Sequence, residues 1–360
     1  MVIVESYGLA VVMCIITMLC WGSWANTQKL ASKEWRFQLF YWDYCIGVLM
    51  LTVIFAFTLG SSGAVGQSFL DNLRQASSEN IRNALIGGVI FNIANILLVA
   101  AIDIAGLAVA FPIGIGLALV FGVIANYRIN PVGNAQLLFA GVACVAIAII
   151  IDAVAYRRLS SGQRTTSKGI VLSVLCGILM GRFYDFVVGT MPKNVADWSS
   201  HTYSGMMTPY TALVFFALGL FLSSFVFNTL VMLKPFSGPP VALGDYFRKG
   251  SPRLHLVGII GGAIWGVGMS LSIVASGAAG PAISYGLGQG ATMVAALWGV
   301  FIWREFKAAP KGTNKLLTLM FIFFVIGLGL IIYARQPKAE AANPASTQPV
   351  ALTSTGVNHG

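Results

Sequence analysis

Charge is what this chain has least of: Asp, Glu, Lys and Arg make up 9% of its 360 residues, against about 25% in an ordinary soluble domain. So few charges cannot cover the surface of a water-exposed protein of this length, which excludes a soluble fold. Acids are the scarcer sign, 12 against 22 Lys and Arg. The net charge of +10 invites a nucleic-acid reading. That reading fails, because the basic residues stand in short loops between apolar runs, where orientation signals belong. Cysteine is also sparse. Cys14, Cys20, Cys45, Cys144 and Cys176 lie inside apolar segments without metal-ligand spacing, so they read as small core packers. None of the three histidines pairs with a cysteine or acid at ligand spacing. There is no Walker sequence, nucleophile–base pair or metal cluster, so neither an enzyme, an ATP-driven machine nor a cofactor is expected. A secretory signal is not expected either: only Glu5, and no basic residue, precedes the first apolar run.

What the chain does have is apolar length. The apolar fraction is 57%, and it falls into runs of about 20 residues, the span of a membrane helix and not of a barrel strand. Ten helices are expected, near 6–26, 37–59, 82–103, 107–127, 137–156, 169–190, 210–233, 254–275, 281–302 and 316–333. The fold class is therefore an all-α, multi-pass integral membrane protein.

The runs also repeat. Residues 86–120 align with 260–294 without a gap at an offset of 174, with 12 identities. Among them, Ile86-Gly87-Gly88 returns as Ile260-Gly261-Gly262 and Ala105-Gly106 as Ala279-Gly280. Two five-helix halves follow, 1–160 and 161–335, with a polar tail over 336–360 whose composition predicts disorder. An odd number of helices per half makes the second enter the membrane in the opposite sense, giving a 5+5 inverted repeat, the mark of a secondary transporter. Loops after the odd-numbered helices hold 15 of the 22 Lys and Arg. The positive-inside rule makes that side cytoplasmic and puts both termini outside, with a cell (inner) membrane as the expected home.

In lipid, polar residues at depth carry the information. Asp43, about two turns into the second helix, suits reversible protonation; a structural hydrogen bond or snorkelling explains it as well. Arg182 and Asp185, three apart on helix six, share a face. They read either as a solute-orienting base with a proton-relaying acid, or as an ion pair that lowers the cost of burial. Trp21 and Trp24 close helix one, as pocket walls or as part of an aromatic belt. Asn92 and Asn95 share a face of helix three, and Tyr285, Gln289 and Thr292 a face of helix nine, beside Trp265 of helix eight. These groups suit hydrogen bonding and stacking of a polar solute, or interhelical bonding alone. Asp103, Asp152 and Glu305, near helix ends, are expected to be solvated or salt-bridged.

At these residues the chain resembles the drug/metabolite transporter superfamily and, within it, the ureide permease family, with the glucose/ribose porters and rhamnose–proton symporters close by. The resemblance rests on Val4-Glu5-Ser6, Tyr41-Trp42-Asp43-Tyr44, Gly87-Gly88 with Asn92 and Asn95, Pro209-Tyr210-Thr211-Ala212, and Trp298-Gly299-Val300 with Glu305. It implies alternating access and proton-coupled uptake of a ureide such as allantoin or a nucleobase such as uracil. The expected partners are thus a small-molecule solute, protons and the bilayer. The site expected from the residues has Trp21, Trp24, Asn92, Asn95, Arg182, Trp265, Tyr285 and Gln289 around the solute, and Asp43 and Asp185 as proton carriers. A sugar porter, a metabolite or drug exporter, and a non-transporting scaffold remain alternatives. Oligomeric state, monomer or homodimer, stays open.

Overall fold

The computed structural model describes residues 1–31, 35–63, 65–159, 167–193, 195–199, 204–236 and 238–335. The expected disordered tail and most of the basic linker between the halves lie outside the described residues. Ten helices are long and apolar enough to cross a membrane, and no strand occurs among the described residues. They are α1 (Tyr7–Ser23, continued by Ala25–Leu30), α2 (Phe37–Phe57), α3 (Ser78–Ala105), α4 (Leu107–Ile129) and α5 (Ala135–Leu159). The second five are α6 (Ser167–Val188), α7 (Pro209–Leu233), α8 (Pro252–Ala279), α9 (Pro281–Ile302) and α10 (Thr313–Tyr333).

Local chemistry sets the ends. Ser77, Thr208 and Ser251 cap α3, α7 and α8, each side chain accepting a backbone N–H of the first turn. Pro209, Pro252 and Pro281 occupy first-turn positions, where the missing N–H costs nothing. Gly106 (φ 79°) and Gly280 (φ 88°) make the one-residue joints between α3 and α4 and between α8 and α9, in a backbone region closed to most side chains.

Two helices depart from the expected continuous runs. α1 extends past 26 to Leu30 after a break at Trp24. α9 consists of Pro281–Gly288, Ala291–Leu297 and a π-helical turn over Trp298–Ile302. The cause is Gly288-Gln289-Gly290, where two glycines in three residues weaken the helix at mid-span. Pro112, by contrast, sits inside an unbroken α4.

Packing follows small residues. A Cβ at Gly88 would stand 2.0 Å from Phe216 O of α7, and one at Gly262 2.0 Å from Tyr44 O of α2. Reciprocally, Gly219 faces Leu85 O and Gly47 faces Ile259 O, at 2.2 and 2.1 Å. Helix pairs α3–α7 and α2–α8 thus cross backbone against backbone, as helices do where lipid supplies no hydrophobic drive for association. The outward faces are apolar, with Leu9, Val12, Ile16 and Leu19 on α1 and Leu222, Phe225, Val226 and Leu230 on α7.

Candidate transport site

The helices leave a cavity of about 430 Å³ between them. Its floor is aromatic and lies near the middle of the span. Trp21 of α1 and Trp265 of α8 stack, with centroids 5.8 Å apart and planes 12° from parallel. The Trp21 indole also donates to Trp265 O at 3.3 Å. Phe91 packs on Trp265 at 4.5 Å, and Met180 and Phe183 of α6 complete the floor.

Polar groups interrupt this surface in two places. Asn95 projects from α3, its amide donating to Tyr41 Oη at 3.3 Å. Gln289 and Thr292 project from the break in α9. A helix broken at membrane depth is tolerated where it lines a cavity, and such breaks mark solute sites in carriers.

The mouth lies where α1 and α9 end and α2 begins. Here Lys29 pairs with Glu305 at 2.6 Å, and its ammonium sits 4.5 Å from the centre of the Trp303 ring. Tyr156 donates to the other Glu305 oxygen at 2.8 Å. Burial pushes the Glu305 carboxyl up, but Lys29 and Tyr156 outweigh it and hold the group below the usual glutamate range. The π-turn aims Trp298 and Trp303 back at α1, where their indoles donate to Ser23 Oγ (2.8 Å) and Asn26 Oδ1 (2.6 Å). Tyr184, Ser272 and Ser284 form one buried hydrogen-bonded cluster joining α6, α8 and α9. Thr17 of α1 donates to Gly268 O at 2.9 Å beside it.

Of the residues expected at the site, Trp21, Trp24, Asn95, Trp265 and Gln289 line this cavity. Asn92 does not: its amide donates to Ser223 (2.7 Å) and Ser224 (3.2 Å), and its carbonyl accepts from Tyr41 (3.0 Å), bonding α3 to α2 and α7. Tyr285 is fully buried behind the floor and donates to Ala118 O and Met180 O. Arg182 and Asp185 form an ion pair of 3.0 Å, the arginine half exposed and the acid buried, and α6 turns Met180 and Phe183 to the cavity instead.

Asp43 also lies outside the cavity lining and is wholly buried. It accepts from Trp35 Nε1 (3.2 Å) and from the Tyr246 hydroxyl, and meets His255 Nδ1 at 2.9 Å. Tyr246 comes from the short helix Asp245–Lys249 between α7 and α8, so Asp43 ties that connection to α2. Burial, and then the Asp43 carboxylate, push the Tyr246 phenol up, which keeps it a neutral donor.

Asp152 departs from expectation. It is not solvated: α5 runs on to Leu159, which sets Asp152 two turns inside the helix, 8% exposed and on the cavity wall. The sequence carried a signal for it, since Asp152 and Tyr156, four apart, share one face of α5. Phe91, Phe183 and Met180 carried none, because apolar floor residues look like any lipid-facing ones.

The family profile for ureide permease matches residues 40–168 and 156–334. Ureide permease 1 of Arabidopsis thaliana is 22% identical over 92% of this chain and 98% of its own length. Ureide permease 2 of the same plant is 23% identical with the same coverage. Transmembrane protein 144 homolog B of Dictyostelium discoideum is 27% identical over 47% of this chain and 41% of its own. A solved crystal structure shares the fold, with a TM-score of 0.59 at 16% identity over 92% of this chain and 99% of that one. Ten membrane-crossing helices around an aromatic cavity with a few polar groups, together with these matches along nearly the whole length, make this a membrane transporter and not an enzyme, and the chain belongs to the ureide permease family.

Proposed function

We propose that this protein is a proton-coupled carrier that takes up a ureide, or a nucleobase of the same flat, amide-rich character, by alternating access. The observation that carries this reading is the cavity itself. The stacked indoles of Trp21 and Trp265 give the cavity an aromatic wall for a planar ring, and the amides of Asn95 and Gln289 offer both donors and acceptors to the N–H and C=O groups of a urea unit. The names of the relatives support the ureide class.

Alternating access rests on the inverted repeat, and the crossings support it. Gly88 of the first half against Phe216 O of the second corresponds to Gly262 of the second half against Tyr44 O of the first, and Gly219 against Leu85 O to Gly47 against Ile259 O. Gly106 and Gly280 turn the chain alike in each half. The cavity opens on the side rich in Lys and Arg, so the conformation described faces the cytoplasm, with both termini on the other side.

The test is uptake by liposomes carrying the purified protein, with labelled allantoin, uracil, glucose and rhamnose offered with and without an inward proton gradient. Gradient-dependent accumulation of allantoin or uracil is expected. Accumulation of a sugar alone would replace the solute class. Flux of none of the four, with efflux of bulkier compounds from cells, would replace uptake by export.

A further inference from the structure

Among the described residues, Asp152 is an acid of the cavity that no cation pairs with. It is 8% exposed, lines the cavity, and its Oδ1 has no hydrogen-bond partner among the described residues. Its surroundings explain why. α5 packs against α4 and α10. α4 turns Phe111 and Ile115 to the cavity, and its ionisable residues, Tyr127 and Arg128, stand at its far end. The ionisable residues of α10, Lys315 and Tyr333, stand at its two ends. On its own helix, Tyr156 donates its hydroxyl hydrogen bond to Glu305 and not to Asp152, while Arg157 and Arg158 lie in the last turn. Lys29, the cation at the mouth, is taken by Glu305. The charged neighbour that faces Asp152 is thus another carboxylate.

A buried carboxylate without a partner is costly in a membrane, and the cost is removed when it takes a proton or another cation. A bare metal ion needs a shell of several oxygens, whereas Asp152 offers one free oxygen and its nearest hydroxyl is committed. We infer that Asp152 is the proton-carrying residue of the transport cycle. One O–H bond forms when water on the open side gives Asp152 a proton, and the carboxylate becomes neutral. That bond breaks, and the proton returns to water, once the cavity opens to the other side. Asp43 is a weaker candidate, because Trp35, Tyr246 and His255 already hold it and it lies outside the cavity. The inference rests on the carrier reading above and names its coupling residue.

The experiment compares wild type, Asp152→Asn, Asp152→Glu and Asp43→Asn in liposomes. Counterflow of allantoin at equal pH measures exchange, and accumulation under an inward proton gradient measures coupling. D152N is expected to keep counterflow but lose gradient-driven accumulation by about tenfold or more, the size of an ordinary coupling term. D152E is expected to retain accumulation. Accumulation by D152N at the wild-type level overturns the assignment, as does accumulation driven by a sodium gradient alone at equal pH. If accumulation is lost in D43N and kept in D152N, the role passes to Asp43.

Should wild type exchange none of the solutes, the solute reading fails and Asp152 is judged by infrared difference spectra between about pH 5 and about pH 8, where ordinary carboxyls are already ionised. A carboxylic-acid C=O band present in wild type and absent in D152N upholds the inference, and its persistence in D152N overturns it. Where D152N does not fold, a shifted band in D152E upholds it and an unshifted one overturns it.

Discussion

Single residues divide by whether their polar atoms are already used. Trp21 and Trp265 both line the cavity, but Trp265 is only 5% exposed and packs on Trp21, Phe91 and Phe216, so its truncation removes packing as well as contact with solute. Trp265→Ala should raise the KM for uptake roughly tenfold, for a loss of about 1–2 kcal/mol of stacking and contact. Initial-rate kinetics in liposomes check this, and an unchanged KM would remove Trp265 from the site. Asp43 is the opposite case, a buried acid whose acceptors are filled. Tyr246→Phe deletes one donor and should cost about 1–3 kcal/mol, read as a lower thermal midpoint in detergent.

The Lys29–Glu305 pair is half exposed and therefore weak, under about 1 kcal/mol. Because the folded carboxyl is held below its ordinary 4.5, the sign follows directly. The contribution is full above that value and fades as pH falls through the depressed one. Melting of Glu305→Gln and wild type should therefore differ slightly at neutral pH and converge in acid. At this scale the sequence was legible where chemistry is unusual, as for Trp21, Trp265 and Gln289. It was not legible for Asn92 and Tyr285, since an amide or phenol at depth bonds a neighbouring helix as readily as a solute.

Secondary elements depend on where backbones touch. The α2–α8 crossing leaves no room for a side chain at Gly262, where even a Cβ would meet Tyr44 O. Gly262→Val should force the helices apart and cost more than about 2 kcal/mol, seen as loss of monodisperse protein in size-exclusion chromatography. Gly88→Val should behave the same way at the α3–α7 crossing. Normal yield and melting of both variants would show that the crossings can relax. Element existence could be read from apolar length, and ends from Ser, Thr and Pro. The break in α9 could not, because glycine pairs in a membrane serve packing as often as bending. Only the placement of Gln289 and Thr292 at the cavity distinguishes the two.

The described membrane helices surround a cavity whose mouth lies where α1 and α9 end. The proposed orientation, with both termini outside and the cavity facing the cytoplasm, puts the α7–α8 connection on the cytoplasmic side. Phe247 in that connection is 82% exposed. In a cysteine-free background, Phe247→Cys should react with a membrane-impermeant maleimide only after the membrane is opened, while Glu5→Cys should react in intact cells. The reverse pattern would invert the topology.

By itself the sequence determined that this protein lives in lipid, crosses it ten times and carries internally repeated segments. Each of these follows from composition and period, which need no knowledge of neighbours. Tertiary structure decided which polar groups are free. Asn92 and Asn95 look alike along α3, yet one is consumed by Ser223 and Ser224 and the other reaches the cavity. Asp43 and Asp152 are both buried acids, yet one has three partners and the other has a bare oxygen. Hydrogen bonds between helices distant in the chain consume polar groups pair by pair, and which pairs meet is set only when the helices pack.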